Sequence, residues 1–270
     1  SSTLTSECDD GHYCIEGSTS PTEARCPAGY YCEVSTEAAG DYPCPVGTFS
    51  GETGLNASSQ CQTCTPGHYC PAGSAAPTNC EPGKYQPSTG ATGVDACLDC
   101  EAGWACESAA MSVMTTLCDP GYYCPPGTTY ADEFPCPAGT YTDSTNLTAE
   151  SECSSCPERQ ACPSGTTSDD WLSCGPGHYC PARTETSTDY PCSPGSYTNR
   201  TDLAADSECY PCPLGEWCGG GSDAPDGPCE AGHYCPLSTS NATQYPCPAG
   251  TFSASTSLYL EAQCEDCPPG

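Results

Sequence analysis

Large apolar residues never gather along this chain. They come one at a time, most often an aromatic beside a cysteine, and Ser, Thr, Asp, Gly and Pro fill the stretches between. No run of 18 apolar residues occurs, so these 270 residues encode no membrane-spanning helix. What the pattern predicts instead is a series of short extended segments. A Cys followed by Pro-x-Gly or Pro-Gly sets a tight turn, with Pro fixing φ and Gly admitting φ > 0. The aromatic just beyond opens an extended piece. The longer connections, such as 140–152, are rich in Ser, Thr and Asp and read as hairpin-like or irregular surface excursions. The expectation is short two-stranded ribbons and almost no helix, apart from a brief helical turn near 147–152 or 203–208.

Such a chain has no conventional core. Leu, Ile, Val and Phe together supply 19 residues, about 7%, where a folded chain ordinarily has more than about 20%. Burial of so little apolar area cannot offset about 1–2 kcal/mol of backbone entropy per residue. Cysteine fills the gap, with 29 residues. That density marks a disulfide scaffold and an oxidising compartment, since cytosolic glutathione would keep the thiols reduced.

Spacing turns the cysteines into an architecture. Cys-x2-Cys pairs begin at Cys61, Cys97, Cys153, Cys209 and Cys264, and the units starting at Cys97 and Cys153 have identical internal spacing over 56 residues. Around them Gly-His-Tyr-Cys recurs at 11–14, 67–70, 177–180 and 232–235, and Cys-Pro-Ala-Gly-Thr-Tyr/Phe at 136–141 and 247–252. The organisation read from this is an N-terminal partial repeat (1–60), a short repeat (61–96), full repeats at 97–152, 153–208 and 209–263, and the start of a further one at 264–270. Each unit touches mainly its neighbours. The fold class is therefore a small disulfide-rich one, an elongated tandem-repeat rod of short β-hairpins and irregular loops with almost no helix.

Parity constrains the pairing. Closing each x16 loop on itself joins Cys44–Cys61, Cys80–Cys97, Cys136–Cys153, Cys192–Cys209 and Cys247–Cys264, and the short unit is left with Cys64–Cys70. Within the full units, local Cys-x5-Cys closure, a nested scheme (Cys156–Cys180 around Cys162–Cys174) and an interleaved one (Cys156–Cys174 with Cys162–Cys180) all remain open. Every scheme strands Cys267. It opens a new Cys-Pro-Pro-Gly turn, so Gly270 reads as a cut through a repeat and Ser1 as following a cleavage or a cut. A bridge from Cys267 to another subunit is the alternative.

Cys-Pro-Ala-Gly-Thr-Tyr, a Ser/Thr-rich loop and then Cys-x2-Cys-Pro together resemble the ephrin-receptor-like cysteine-rich repeat, related in style to epidermal-growth-factor-like and tumour-necrosis-factor-receptor-like modules. The likeness covers roughly residues 8–270. Long arrays of this kind are similar to those of protist and algal surface proteins, including mastigoneme-type filament proteins. The resemblance implies a glycosylated, extracellular structural role.

Charge narrows the partners. Asp and Glu number 35 against five Lys and Arg, a formal charge of −30. Nucleic acid and anionic membrane surfaces both need a basic face, which Lys84, Arg25, Arg159, Arg183 and Arg200 do not make. The scattered acids read as a solubilising, mutually repelling surface, or as weak Ca²⁺ binders between neighbouring units. No other cofactor is implied. Four Asn-x-Ser/Thr sequons, at Asn56, Asn146, Asn199 and Asn241, predict covalent N-glycans.

Catalytic and metal motifs are missing from the sequence. There is no Gly-x-Ser-x-Gly, His-Glu-x-x-His or phosphate loop. His12, His68, His178 and His233 all sit in Gly-His-Tyr-Cys, beside cysteines expected to be oxidised, so no zinc site is expected and a packing or hydrogen-bonding role is. Trp104, Trp171 and Trp217 read as cover for disulfides or as interface anchors. The sequence points away from an enzyme and toward a secreted glycoprotein assembling with copies of itself into an extracellular filament at a cell or flagellar surface, such as a mastigoneme-like hair. A receptor or adhesin stalk and a cyst-wall or matrix component are the alternatives.

Overall fold

A computed structural model describes residues 7–268; the expectations placed on Ser1 and Gly270 lie outside them. The elements are twenty two-residue strands in ten antiparallel pairs and six three-residue 3₁₀ turns. The chain forms two compact units. One comprises the chain up to Asp119 with Tyr123–Phe134 and Asn146–Ala149; the other comprises Pro120–Tyr122, Pro135–Thr145 and the chain from Glu150 onward.

Backbone contacts divide the 56-residue period further, into rungs of 16 to 20 residues. A rung starts at each of Cys8, Cys26, Cys44, Cys64, Cys80, Cys100, Cys118, Cys136, Cys156, Cys174, Cys192, Cys212, Cys229 and Cys247, numbered 1 to 14 in chain order. Three residues later stands a glycine, or Arg159 in rung 9, with φ between 72° and 94°. At every glycine of this series the carbonyl accepts the N–H of the Cys that opens the next rung, as in Cys26 N to Gly11 O (2.9 Å) and Cys156 N to Gly139 O (2.9 Å).

Three further bonds tie a rung to its successor. In the first unit Gly11 N donates to Cys32 O (2.9 Å), Cys14 N to Thr36 O (3.0 Å), and Ser35 N back to Cys8 O (3.1 Å). In the second unit Gly139 N donates to Cys162 O (2.8 Å), Thr142 N to Thr166 O (3.2 Å), and Gly165 N back to Cys136 O (2.9 Å). Isolated parallel bridges follow the same path, Tyr31 with Leu55 in the first unit and Tyr141 with Thr166 in the second. These bonds satisfy the backbone of segments too short to form a sheet of their own.

Rungs come in three kinds. Rungs 1, 4, 6, 9 and 12 have Cys-x5-Cys and a two-residue hairpin, such as His12–Tyr13 against Ala24–Arg25. Rungs 2, 7, 10 and 13 have Cys-x5-Cys and an aromatic-Pro before the next Cys. There a single bridge replaces the ladder, as at Tyr30 with Pro43, and two rings pair, as Tyr31 with Tyr42 at 5.5 Å and Tyr179 with Tyr190 at 5.7 Å. Rungs 3, 5, 8, 11 and 14 carry the x16 loop. At the place of the second Cys they have Ser50, Gln86, Thr142, Thr198 and Ser253, of which the first four are buried. Full repeats run through the three kinds in order. The short repeat omits the aromatic rung, which accounts for its length.

Fourteen disulfides close among the described residues. Nine span Cys-x5-Cys, and five join Cys44–Cys61, Cys80–Cys97, Cys136–Cys153, Cys192–Cys209 and Cys247–Cys264. Cys64 pairs with Cys70, and in rungs 9 and 10 local closure replaces the nested and interleaved schemes. The buried interior is made of these sulfurs with Leu55, Leu147, Leu203 and Leu258 and a set of threonines. Thr128, Thr184 and Thr239 are buried because each hydroxyl donates to the carbonyl three residues back, at 2.5, 2.6 and 2.6 Å. The helical turns expected near 147–152 and 203–208 are 3₁₀ turns at Glu150–Glu152 and Asp206–Glu208.

Candidate functional site

The chemistry of this protein lies on its loops. Three of the x16 loops are held by the residue just before their second Cys. Gln60 Oε1 accepts the N–H groups of Asn56 (2.8 Å) and Ala57 (3.2 Å), Gln263 Oε1 those of Tyr259 (2.8 Å) and Leu260 (3.0 Å), and Glu208 Oε2 that of Ala204 (2.8 Å). Aromatic rungs use the residue before the aromatic in the same way. Glu133 accepts from Thr129 N (2.8 Å) and Tyr130 N (3.2 Å), Asp189 from Glu185 N (3.1 Å) and Thr186 N (2.8 Å), and Gln244 from Ser240 N (2.8 Å). Several acids that read as plain solvated charge are therefore loop latches. The signal was present in the sequence as Gln or Glu before Cys and Asp, Glu or Gln before aromatic-Pro-Cys.

All four sequon asparagines are exposed. Asn241 accepts from Thr243 N and Thr243 Oγ1, both at 2.9 Å, so its sequon forms a closed polar turn. Asn146 stands in the left-handed region (φ 69°) with its side chain over Gly103. Each histidine pairs Nδ1 with the carbonyl two residues back, at 3.1 Å (Asp10), 2.8 Å (Pro66), 2.9 Å (Pro176) and 3.2 Å (Ala231). Trp171 is partly buried edge-on to Tyr141 at 5.0 Å, with its Nε1 buried and without a partner. Trp104 and Trp217 are likewise partly covered. Five of the six ring pairs lie within one rung, so the aromatics cover their own rung more than they stack from rung to rung.

Cys192, Asp206 and Cys209 bring three donor groups within 4.8 Å. The two sulfurs are bonded to each other, and Asp206 accepts from Ser193 N (2.8 Å) and Ser193 Oγ (2.7 Å), so this cluster is a loop anchor. Cys267 is exposed and has no disulfide partner.

Three of the five cations form ion pairs: Lys84 with Asp99, Arg159 with Glu208 (3.0 Å) and Arg200 with Asp202 (2.9 Å). Arg200 beside Asp202 holds that carboxyl below the usual carboxylate range. The Ala204 N–H and then Arg159 do the same for Glu208. The Thr186 hydroxyl and N–H lower Asp189. Partial burial and a neighbouring glutamate raise Tyr85 (Glu101) and Tyr234 (Glu261).

No protein-family model matches the sequence, and no curated protein matches it. The geometry is that of tandem cysteine-rich repeats. Disulfides at this density are typical of extracellular proteins, and among the described residues no helix is long and apolar enough to cross a membrane.

Proposed function

We propose that this chain is an extracellular, N-glycosylated structural protein that assembles with copies of itself into a filament, such as a mastigoneme-like flagellar hair. The observation that carries the reading is the rung. One backbone path recurs in fourteen rungs, each closed by its own disulfide and each turning a polar loop outward. Repetition presents equivalent patches at regular intervals, and head-to-tail contacts between such patches give open filaments. The likeness to ephrin-receptor-like and epidermal-growth-factor-like repeats supports the same role, without enzymatic activity. A charge of −30 must be offset when copies approach, and glycans on Asn56, Asn146, Asn199 and Asn241 or weakly held Ca²⁺ would supply this.

Electron microscopy of the native, secreted material, kept free of reducing agent, tests this reading. Regular filaments whose map accommodates the rung sequence are expected. Isolated molecules at every accessible concentration would overturn self-assembly and leave the receptor or adhesin stalk.

A further inference from the structure

Rung 9 departs from every other rung at one residue. Where the others place glycine, it has Arg159, in the left-handed region at φ 72°. In the other rungs up to rung 12 that site admits no side chain: a Cβ added at Gly121 would lie 2.3 Å from the Gly165 carbonyl oxygen, and one at Gly195 2.4 Å from that of Ser238, while Gly232 and Gly250 in the last two rungs face open space. The residue that each glycine of rungs 1 to 12 faces lies two rungs on and has positive φ itself. In the x16 rungs it is Gly54, Gly90, Asn146 and Ser257, with φ between 69° and 79°. In rung 11 it is Asp202, which has left that conformation.

The backbone ladder records the same displacement. Among the described residues, Cys174 N makes no bond to the Arg159 carbonyl, although Cys136, Cys156 and Cys192 make the equivalent bond at 2.8–2.9 Å. Asp202 N makes no bond to Cys174 O either, an absence it shares with Ser257 N and Cys229 O, whereas Gly54 and Gly90 bond to the matching cysteines at 2.8 Å. In place of these bonds stands a set of charges. Arg159 Nη1 donates to the Asp202 carbonyl, Arg159 Nη2 pairs with Glu208, and Arg200 pairs with Asp202.

We propose that rung 9 is a built-in joint, latched by the Arg159–Glu208 and Arg200–Asp202 pairs, which acid or salt releases so that the chain opens locally there while the other rungs stay closed. Arg159 faces Glu208 and the Asp202 carbonyl. Glu208 faces Arg159 and, more distantly, Arg200; Asp202 faces Arg200 and Arg159; Arg200 also meets Tyr210. Both carboxyls are held below their ordinary range, so the latch is closed at neutral pH and is lost only as the pH falls through those depressed folded values. The pairs are part-exposed, so high salt weakens them also.

Glu208→Gln isolates the charge, because Gln60 and Gln263 latch the equivalent loops. Arg159→Gly restores the glycine of the other rungs. The experiment is amide exchange by NMR on the full, oxidised chain, corrected for intrinsic pH dependence, at pH 7 and pH 2. The amides of Cys180 and Arg183 are expected to lose at least tenfold more protection on acidification than their equivalents Cys124 and Gly127, which bond to Leu147 O and Cys100 O away from rung 9. Glu208→Gln should bring most of that loss to pH 7, and Arg159→Gly should abolish it. Equal loss in both groups of amides, or a loss that survives Arg159→Gly, would overturn the joint.

Discussion

Rungs 8 and 9 are neighbours in the sequence, the first closed by the x16 disulfide Cys136–Cys153 and the second by the short Cys156–Cys162, and they differ at the third residue after the opening Cys. Rung 8 has Gly139 at φ 79°, with the Arg183 carbonyl oxygen 2.5 Å from where a Cβ would be. Rung 9 has Arg159 at φ 72°, one ladder bond fewer and an ion-pair latch. The contrast separates two jobs of the glycine. Positive φ is a local cost that a non-glycine residue can bear at about 1–2 kcal/mol. The close approach of the facing carbonyl leaves no room at all, and there the partner chain must move. Disulfides hold each rung, but the absence of a side chain lets rung meet rung.

The sharpest way to break the contrast is to give rung 8 the side chain of rung 9. Gly139→Arg drives its Cβ into the Arg183 carbonyl and the Glu185 side chain, and should destabilise the oxidised protein by roughly 3–5 kcal/mol, read as thermal melting or as loss of secreted yield. Next in size are the disulfides. Removing Cys136–Cys153 should cost about 3 kcal/mol and Cys156–Cys162 about 1 kcal/mol less, because the chain-entropy term grows with loop length. Equal losses would mean that the crosslinks act through native contacts and not through the unfolded chain. Asn146→Ala places an ordinary residue in the left-handed region over Gly103 and should cost about 1 kcal/mol, whereas Asn146→Gly should be nearly neutral; both remove one N-glycan by mass.

The smallest effect is electrostatic. Asp189 has a depressed folded pKa, so its contribution is complete above the ordinary carboxylate range near 4 and disappears as the pH falls through the folded value. Melting temperatures measured from pH 7 down to pH 3 should fall less steeply for Asp189→Asn than for the parent, with the two curves meeting at the acid end.

What the sequence made legible was whatever cysteine marks. The 56-residue period, the x16 loops and the short unit all follow from cysteine positions, and the turns follow from Pro-x-Gly. The rung itself was hidden for two physical reasons. In the five x16 rungs the second Cys is replaced by Ser50, Gln86, Thr142, Thr198 or Ser253, which keep the backbone path without the marker. The left-handed residue that faces the glycine varies among Gly, Ser35, Ala110, Asn146, Arg183, Ser238 and Ser257, because it is defined by backbone angle and not by side chain. Cys-x2-Gly at intervals of 16 to 20 residues was the signal that could have exposed it. The same scan would have singled out Arg159. The latches were missed because an Asp or Glu that accepts backbone N–H groups looks, in sequence, like any other surface acid.

Local closure of every rung is the claim on which the ladder, the joint and the repeat reading all rest. It is tested by cleaving the native protein without reduction and identifying the linked peptides by mass spectrometry. Cys156–Cys162 and Cys174–Cys180 must each appear as separate loops. Recovery of Cys156 joined to Cys180 or to Cys174 would contradict the rung and replace it with a nested or interleaved repeat.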